Sequence, residues 1–461
     1  MLYHLNNDTI VAIATPPGKS ALGIIRVSGN DCFDIVNKVF SGKDLTKVDS
    51  HTIHYGFIKD LDGNVLDEVL LNVYKSPKTY TGENLIEISC HGSMYILNEV
   101  LSLLQKVGAR LAQAGEFTLR AFMNKKLDLS QAEAVIDMID SENEASHKIA
   151  VNQIRGGFSD KIKELREKLL NLISLFELEL DFGEEDVEFA SNDQLKEILN
   201  ETTAEVKTLV DSFKLGNVIK QGVSVVIAGR PNAGKSTLLN ELLQEERAIT
   251  SNIPGTTRDF IEDTINIDGI LFRFVDTAGL TSTTLDLIEK EGIQRTLNKI
   301  KIADLVIYLF DITELTVEEV KGDIDQLELH VPHLLIANKI DKDGVESIIK
   351  KDFSEAFDNL VFISSKFQQN ISALKVNLLK TLDIEKYQGD LSIVTNTRHY
   401  TILSEILRSI EEVNQGIDNQ LTKDFITIDI RKIIQLMGEI TGEITNDEIL
   451  GNIFGRFCIG K

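Results

Sequence analysis

A short glycine-rich segment directly behind an apolar run is the feature that most constrains the fold. Residues 224–228 read SVVIA, and residues 229–236 read GRPNAGKS. This order predicts a buried strand, a tight turn and a helix that begins at about Lys235. The backbone N–H groups of such a turn and the positive end of the helix converge on one point, which suits phosphate groups. We therefore expect an α/β domain with a phosphate-binding loop (P-loop).

The residue types in this segment fit the phosphates of a nucleoside triphosphate. Lys235 would reach the β- and γ-phosphates, and the Ser236 hydroxyl would bind Mg²⁺. The predicted contacts from the loop and the first helical turn are Asn232, Ala233, Gly234, Lys235, Ser236 and Thr237.

Three later segments, each behind a predicted strand, indicate which nucleotide binds. DTAG at 276–279 places Asp276 where it can hold Mg²⁺ through water, and its glycine lets a backbone N–H approach the γ-phosphate. In NKID at 338–341, Asp341 can accept hydrogen bonds from N1–H and the exocyclic amine of guanine, which adenine does not offer. The motifs in this order predict GTP. The predicted contacts are Asp276, Thr277, Ala278, Gly279, Asn338, Lys339, Asp341, Ser364, Ser365 and Lys366.

Four positions near the γ-phosphate bear on hydrolysis. Leu280 stands where many regulatory GTPases carry a glutamine that orients the attacking water, and a leucine cannot do so. Either hydrolysis is weak and a partner supplies the missing group, or this chain carries a substitute. Asn232 is a candidate, because its side-chain oxygen would help coordinate a monovalent cation beside the phosphates. Thr256 and Thr257 follow a Pro-Gly pair in a flexible switch, where a hydroxyl would sense Mg²⁺ and the γ-phosphate.

Charge, cysteine content and hydropathy narrow the class of protein. The net charge of −24 argues against broad non-specific binding to a nucleic-acid backbone, although not against a local basic patch. The three cysteines are widely spaced, which favours neither a disulfide framework nor a zinc site and fits a reducing cytosol. No apolar run approaches the length of a membrane span, and the N-terminus lacks a signal-peptide pattern. We therefore expect a cytoplasmic protein without a membrane partner.

The pattern on either side of the P-loop segment predicts a multidomain chain. Apolar residues recur at helical spacing over 162–180, and a similar texture returns over 398–437. The simplest architecture is an all-α domain that is interrupted by an α/β GTPase domain, behind a compact α+β domain. The predicted boundaries are 1–125 for the α+β domain, 126–216 and 384–461 for the helical domain, and 217–383 for the inserted GTPase domain.

Four further segments are similar to the tRNA modification GTPases of the MnmE (TrmE) family, and the resemblance extends over essentially the whole chain. They are DTIVAIATPPG at 8–18, TGEN at 81–84, GEFTLRAFMNKKLDLSQAEA at 115–134 and GNIFGRFCIGK at 451–461. The resemblance implies an N-terminal domain that binds tetrahydrofolate and dimerises. It also implies that the helical domain carries an inserted Ras-like GTPase domain.

The resemblance further implies a reduced-folate site whose ligands fall on Arg26, Glu87, Lys126 and Lys461. A carboxylate such as Glu87 can accept two hydrogen bonds from the amide-and-amine edge of a pterin, and Arg or Lys suits the anionic glutamate tail. Because Glu87 lies in an otherwise apolar strand, we expect it to have a partner. Cys458 corresponds to a family cysteine implicated in the modification chemistry, and a thiol there would serve as acid, base or nucleophile.

For hydrolysis, the resemblance implies K⁺ as the activating cation, which agrees with the hypothesis for Asn232. The family's catalytic glutamate, which positions water, aligns with Glu289. The segment before it departs from the commoner family sequence, because Thr281 stands where an arginine is usual. The metal ligands implied are Ser236 and Thr257 for Mg²⁺, and Asn232, Thr250 and Ile253 for K⁺.

The family acts together with a flavin-containing partner of the MnmG (GidA) family, in a heterotetramer built on a homodimer. It adds an aminomethyl or carboxymethylaminomethyl group to carbon 5 of the wobble uridine (position 34) of certain tRNAs. The one-carbon unit comes from 5,10-methylene-tetrahydrofolate, of which the 5-formyl form is a binding analogue. The alternative is a regulatory GTPase in ribosome assembly. The GTPase motifs do not separate the two, whereas the folate segments and the terminal CIGK favour the first.

Overall fold

The computed structural model describes residues 8–181, 192–246, 263–275, 300–301, 303–327, 330–342, 345, 347–382 and 392–461. The chain forms two compact units. The first comprises Met1–Ile136, Gln153–Leu199 and Arg408–Lys461, and the second comprises Asp137–Asn152 and Asn200–Leu407. No helix in the described ranges is both long and apolar enough to cross a membrane.

A mixed sheet in the order β3-β4-β5-β6-β2-β1-β7 dominates the N-terminal part of the first unit. Neighbouring strands are antiparallel except β1 and β7, which are parallel. The strands are β1 (Ile10–Ile13), β2 (Leu22–Ser28), β3 (Phe40–Ser41), β4 (Thr52–Lys59), β5 (Val65–Tyr74), β6 (Leu85–His91) and β7 (Arg110–Leu111).

Helices account for much of the remaining described chain. In chain order they are α1 (Cys32–Asn37), α2 (Met94–Lys106), α3 (Glu116–Met123), α4 (Leu129–Ile139), α5 (Glu144–Ile154), α6 (Gly157–Asp181), α7 (Asn192–Gln221), α8 (Lys235–Glu246), α9 (Val317–Gln326), α10 (Ser347–Ala356), α11 (Ile371–Thr381), α12 (Thr397–Asp418), α13 (Lys423–Thr441) and α14 (Asp447–Phe454). The predicted helical texture over 398–437 is thus two helices, which are separated by residues 419–422.

Buried and less buried residues alternate along the strands of the N-terminal sheet and show which of its faces is covered. In β5, Val69, Leu71 and Val73 are buried while the residues between them are not. Their face packs with apolar residues of α1 and α2 to form one core. The opposite face carries the side chains of alternate residues, among them Arg26 on β2 and Glu87 on β6. This second face is where the first unit presents its polar site.

A helical pair, α6 and α13, forms another part of the apolar interior of the first unit. On α13, buried residues recur at helical spacing, as at Ile426, Ile430, Ile433 and Met437. On α6, the predicted stripe is buried, and Arg166 of this helix donates from Nε to the carbonyl of Ile434 at 3.2 Å. The stripe predicted over 162–180 is therefore confirmed over its described side chains. The buried members are Ile162, Leu165, Leu169, Leu172, Ile173 and Phe176.

A buried ionic cluster joins the N-terminal strand to α3. Arg120, of which 2% is exposed, donates to Asp8 at 2.8 Å, to Glu83 at 3.1 Å and to Glu116 at 3.1 Å. Arg110 binds the same Asp8 and Glu116. Burial disfavours the charged form of both carboxylates, but the two guanidinium groups outweigh this and lower the pKa of Asp8 and of Glu116. Each charged group of the cluster therefore has at least one partner of opposite charge.

The second unit is built on a sheet in the order β13-β12-β11-β8-β10-β9, counting the strands in the described ranges. All described neighbours are parallel except β9 and β10, which are antiparallel. Every residue of β11 is buried, as expected of a central parallel strand. The strands are β8 (Val223–Ala228), β9 (Asp263–Ile267), β10 (Ile270–Phe274), β11 (Leu305–Asp311), β12 (His333–Asn338) and β13 (Leu360–Phe362).

The strands predicted behind the four nucleotide motifs are confirmed as β8, β10, β12 and β13, and α8 begins at Lys235 as predicted. β4, β9 and β11 were not predicted, although β11 is an uninterrupted apolar run. Because parallel strands share a direction, the carboxyl ends of β8, β11, β12 and β13 meet at one edge. That edge positions the nucleotide motifs.

We expect Arg120→Met to destabilise the first unit by about 3–5 kcal/mol, because it leaves the buried Glu116 without one of its cations. Arg408→Met is the matched control, since Arg408 is exposed and its pair with Glu412 should contribute under about 1 kcal/mol. Calorimetric unfolding of the full chain measures both. Equal transition temperatures for the two variants would show that the cluster carries no net stability.

Candidate functional site

The P-loop lies between β8 and α8 and leaves no room for two side chains. A Cβ atom at Gly229 would lie 2.0 Å from the carbonyl oxygen of Leu309 on β11. At Gly234, where φ is +102°, it would lie 2.4 Å from Nδ2 of Asn338. Gly229 is therefore required by a close backbone carbonyl, and Gly234 by its positive φ and the close side chain of Asn338, as expected for a loop whose N–H groups face phosphates.

Lys235 lies at the first position of α8, with its side chain folded back over the loop. Its Nζ donates to the carbonyl oxygens of Gly229 at 2.7 Å and Arg230 at 2.9 Å. Burial lowers the pKa of the Lys235 ammonium. This ammonium has no carboxylate partner among the described residues, so its charge is available to an anion bound in the loop.

Two consecutive residues of NKID tie the end of β12 to the P-loop. The buried Asn338 donates from Nδ2 to the carbonyl of Ala233 at 2.8 Å, and Lys339 donates from Nζ to the carbonyl of Asn232 at 2.7 Å. We call these two hydrogen bonds the NKID strap. The Oδ1 atom of Asn338 also accepts from the backbone N–H and the hydroxyl of Ser365, both at 3.0 Å. The strap fixes the spacing between the loop and the segment that would bind the base.

The predicted base contacts come together around Asp341. Its carboxylate accepts from the hydroxyl of the buried Ser364 at 2.5 Å. Ser364 and Ser365 follow β13, so they approach Asp341 and Asn338 from the neighbouring strand. Lys366 is exposed, and its Nζ lies 5.3 Å from the ring centroid of Phe367. The structure thus brings the two serines to the NKID segment and leaves the lysine at the rim.

The described residues supply oxygen donors that suit the implied cations. Asn232 and Thr237 are exposed, Ser236 is half-buried, and their side chains have no hydrogen-bond partner among the described residues. A hydroxyl and an amide oxygen are hard ligands of the kind that Mg²⁺ and K⁺ accept. No group of three or more His, Cys, Asp or Glu that could hold a metal ion lies within the described ranges.

Nine of the predicted site residues lie outside the part of the chain that the structure describes. Leu280 and Thr281, which the sequence analysis also discussed, lie outside it too. The site residues are Thr250, Ile253, Thr256, Thr257, Asp276, Thr277, Ala278, Gly279 and Glu289.

The sequence interpretation missed two side chains at this edge. Asp311, the last residue of β11, is buried and binds both Lys339 and Lys342 at 2.7 Å. Arg230 of the P-loop donates to Asp323 on α9 at 2.8 Å, and Asp323 also accepts from the hydroxyl of Tyr308. An aspartate that ends an uninterrupted apolar strand is a signal that could have identified Asp311.

In the first unit, Arg26 and Glu87 face each other across β2 and β6. Their register places them directly opposite, and Glu87 Oε1 accepts from Arg26 Nη2 at 2.7 Å and Nε at 3.1 Å. The partner expected for Glu87 is therefore Arg26. The guanidinium also lies 5.2 Å from the ring centroid of Tyr80 and 5.7 Å from that of Phe117. Glu87 Oε2 accepts no hydrogen bond from the described residues, so it remains available to a ligand.

The C-terminal residues of the chain form one wall of this polar site. The carbonyl of Gly460 accepts from Arg26 Nη1 at 3.2 Å, and the carbonyl of Lys461 accepts from the N–H of Phe117 at 3.2 Å. A Cβ atom at Gly460 would lie 2.4 Å from the carbonyl of Ile13. Burial, and then the positive charge of Arg26, lower the pKa of Lys461. The structure thus brings Arg26, Glu87 and Lys461 together.

Cys458 and Lys126 occupy different surroundings. Cys458 is exposed, close to the same C-terminal wall. The Nζ atom of Lys126 donates to the carbonyl of Pro77 at 3.3 Å. Lys126 also lines a cavity of about 620 Å³ together with Lys125 and Lys163, and Arg26 and Glu87 do not line that cavity. No contact in the described structure joins Lys126 to the Arg26–Glu87 pair.

Comparisons with known proteins cover both ends of the chain. A family profile described as "GTP-binding protein TrmE N-terminus" matches residues 9–126, and one described as "MnmE helical domain" matches residues 129–458. These two stretches include both the Arg26–Glu87 pair and the P-loop.

Curated relatives are similar over nearly their whole length. Proteins named "tRNA modification GTPase MnmE" from Cytophaga hutchinsonii and Flavobacterium psychrophilum are 50% and 51% identical. The alignments cover 99% of this chain and 98% of the first relative, and 100% of both chains for the second. The relative of that name from Flavobacterium johnsoniae is 51% identical over 99% of this chain and 100% of its own length. The chain therefore belongs to the MnmE (TrmE) family of tRNA modification GTPases.

Proposed function

We propose that this chain is a K⁺-stimulated GTPase that modifies carbon 5 of the wobble uridine (position 34) of certain tRNAs in the cytoplasm. It acts with a flavin-containing protein of the MnmG (GidA) family and takes the one-carbon unit from 5,10-methylene-tetrahydrofolate. The product carries an aminomethyl or carboxymethylaminomethyl group. The observation that carries the proposal is the NKID strap. Its two hydrogen bonds join the segment proposed to bind the guanine base to the loop proposed to bind the phosphates.

In the proposed nucleotide site, Asp341 accepts the N1–H and the amine of guanine, and Lys235 leaves the loop carbonyls for the β- and γ-phosphates. Ser236 and Thr257 would hold Mg²⁺, and Asn232, Thr250 and Ile253 would hold K⁺. The bound cations supply positive charge where negative charge develops on the phosphates. Glu289 would position the attacking water.

In the proposed folate site, the free Oε2 of Glu87 accepts from the pterin edge while Oε1 keeps Arg26 in place. The guanidinium of Arg26 is already hydrogen-bonded, because it also donates to the carbonyl of Gly460. We therefore assign the anionic tail of the folate to Lys461 and Lys126. Cys458 lies near that C-terminal wall and is exposed, as a thiol that acts on a bound substrate must be.

The proposed homodimer uses the uncovered face of the N-terminal sheet. Tyr55 on β4 and Leu70 on β5 are directly opposite each other, and 57% and 47% of them are exposed. Ile53 and Leu22 are also exposed, and the registers place these residues on the face that carries Arg26. An exposed apolar face of this kind is typical of a surface that another subunit covers. The dimer interface would therefore border the folate site.

The charge distribution supports an approach of tRNA from the N-terminal side. Residues 1–126 contain thirteen basic and thirteen acidic side chains, so the net charge of −24 comes from the rest of the chain. Lys78 and Lys125 are exposed and have no carboxylate partner among the described residues. A phosphate backbone would be repelled least at this end, and the MnmG-family partner would contribute further binding.

Asp341→Asn should weaken GTP binding by about a hundredfold or more and strengthen binding of xanthosine triphosphate, because an amide matches the carbonyl that xanthine carries in place of the amine. Competition between the two nucleotides for the purified chain measures the change. Asp358→Asn, at an exposed aspartate, serves as the control. Unchanged GTP affinity in Asp341→Asn would mean that the base binds elsewhere.

Replacing K⁺ by Na⁺ should slow GTP turnover by about a hundredfold, the usual effect of losing one charge-stabilising group. Asn232→Gly should abolish the difference between the two salts. Glycine is the appropriate substitution because Asn232 has a φ of +59°, which glycine adopts without strain. Equal rates of the native chain in K⁺ and Na⁺ would refute the cation site.

Glu87→Gln should weaken binding of 5-formyl-tetrahydrofolate by at least about tenfold while GTP turnover stays unchanged, because the amide can still accept from Arg26 but carries no charge for the pterin. Isothermal titration of the full chain measures binding, and Glu99→Gln on the exposed face of α2 is the control. If the native chain does not bind the folate at all, the ribosome-assembly alternative is favoured instead.

A further inference from the structure

Asp311 holds two lysines at the edge of the nucleotide site. It ends β11 and is 3% exposed. Its Oδ2 accepts from Lys339 Nζ and Lys342 Nζ, both at 2.7 Å, while Oδ1 accepts from the backbone N–H of Thr313 at 2.9 Å and from its hydroxyl at 2.7 Å. Burial raises the pKa of this carboxyl, but the lysines and Thr313 outweigh burial and lower it. The group is therefore a buried carboxylate whose two oxygens are both bound.

One of these lysines links the carboxylate to the P-loop. Lys339 Nζ donates to Asp311 and also to the carbonyl of Asn232, at 2.7 Å in each case. The two residues that this ammonium connects, Asn232 and Lys339, both have left-handed backbones, with φ of +59° and +66°. Such a conformation costs a non-glycine residue about 1 kcal/mol or more unless the surroundings hold it. The Lys339 ammonium thus links two residues with left-handed backbones: Lys339 itself and Asn232, whose carbonyl it binds.

The charges show why the carboxylate is needed. Two ammonium groups, of Lys339 and Lys342, meet at one oxygen atom of Asp311. Like charges at such a short separation repel each other strongly where solvent is partly excluded. The Lys339 side chain is only 26% exposed, whereas that of Lys342 is 41% exposed. Without the negative charge of Asp311, repulsion from the Lys342 ammonium would push the Lys339 ammonium away from the carbonyl of Asn232.

We propose that Asp311 is a positioning residue for nucleotide binding: it holds the ammonium of Lys339 against the carbonyl of Asn232 and thereby sets the P-loop conformation. This inference rests on the proposed GTPase function. It adds a third element to the NKID strap, because the carboxylate supplies the charge that keeps the Lys339 hydrogen bond closed. Asp311 itself touches neither the base nor the phosphates in this mechanism.

The test is a charge-rescue series in the full chain. Asp311→Asn keeps the size of the side chain and its bonds to Thr313 but leaves two uncompensated ammonium groups. It should weaken GDP and GTP binding about tenfold, within the range found for coupled neighbours. Asp311→Asn combined with Lys342→Met removes the repulsion between the two ammonium groups and should recover part of that loss, because Lys339 still lacks its carboxylate partner. Lys342→Met alone, and Asp325→Asn on the exposed side of α9, should stay within about twofold of the native affinity.

Fluorescent guanine nucleotides give the affinities, and thermal unfolding of each variant separates positioning from folding. A purely structural Asp311 would lower the unfolding temperature without any recovery of affinity in the double variant, and that result would overturn the inference. So would native affinity in Asp311→Asn. If the native chain itself bound no guanine nucleotide, the proposed function would fail first. That outcome is distinguishable, because it does not depend on the variants.

Discussion

The second unit depends on the attachment of one strand end to the P-loop. Asn338 and Lys339 donate to the carbonyls of two consecutive loop residues, and the parallel sheet brings the strand ends close enough for this. The loop carbonyls are thus satisfied by the protein, so its N–H groups are left to face an anion. In the proposed nucleotide site, recognition of the base and of the phosphates would therefore not be separable, since any shift of β12 would move both.

The first unit uses a different solution for its polar site. An arginine and a glutamate are paired on a partly exposed sheet face, with a backbone carbonyl from the C-terminal residues as the third partner. Pairing offsets part of the cost of desolvating either charge there. It leaves one carboxylate oxygen and the half-buried Lys461 as the groups that remain open to a ligand.

Local chemistry explains why the P-loop was predictable from the sequence and the ion pairs of Asp311 were not. An apolar run, two obligatory glycines and a helix start lie within a few residues, so their order alone defines strand, turn and helix. Asp311 acquires its role from Lys339 and Lys342, and Lys342 lies 31 residues further along the chain. The pairing of Arg26 with Glu87 likewise depends on the register of β2 and β6. The spacing of residues along the sequence does not indicate long-range strand register or side-chain contacts. The family resemblance, in contrast, identified Arg26 and Glu87 as site residues.

The contact between Arg26 and Gly460 spans 434 positions of the chain. During synthesis the strands of the N-terminal sheet emerge first, so they can pair while most of the polypeptide is still unmade. Their polar site nevertheless acquires its last wall only after residue 460 has left the ribosome. Nascent chains that do not yet include residue 460 would therefore present an incomplete pocket, so maturation of the N-terminal sheet's polar site waits for the synthesis of residues far along the chain.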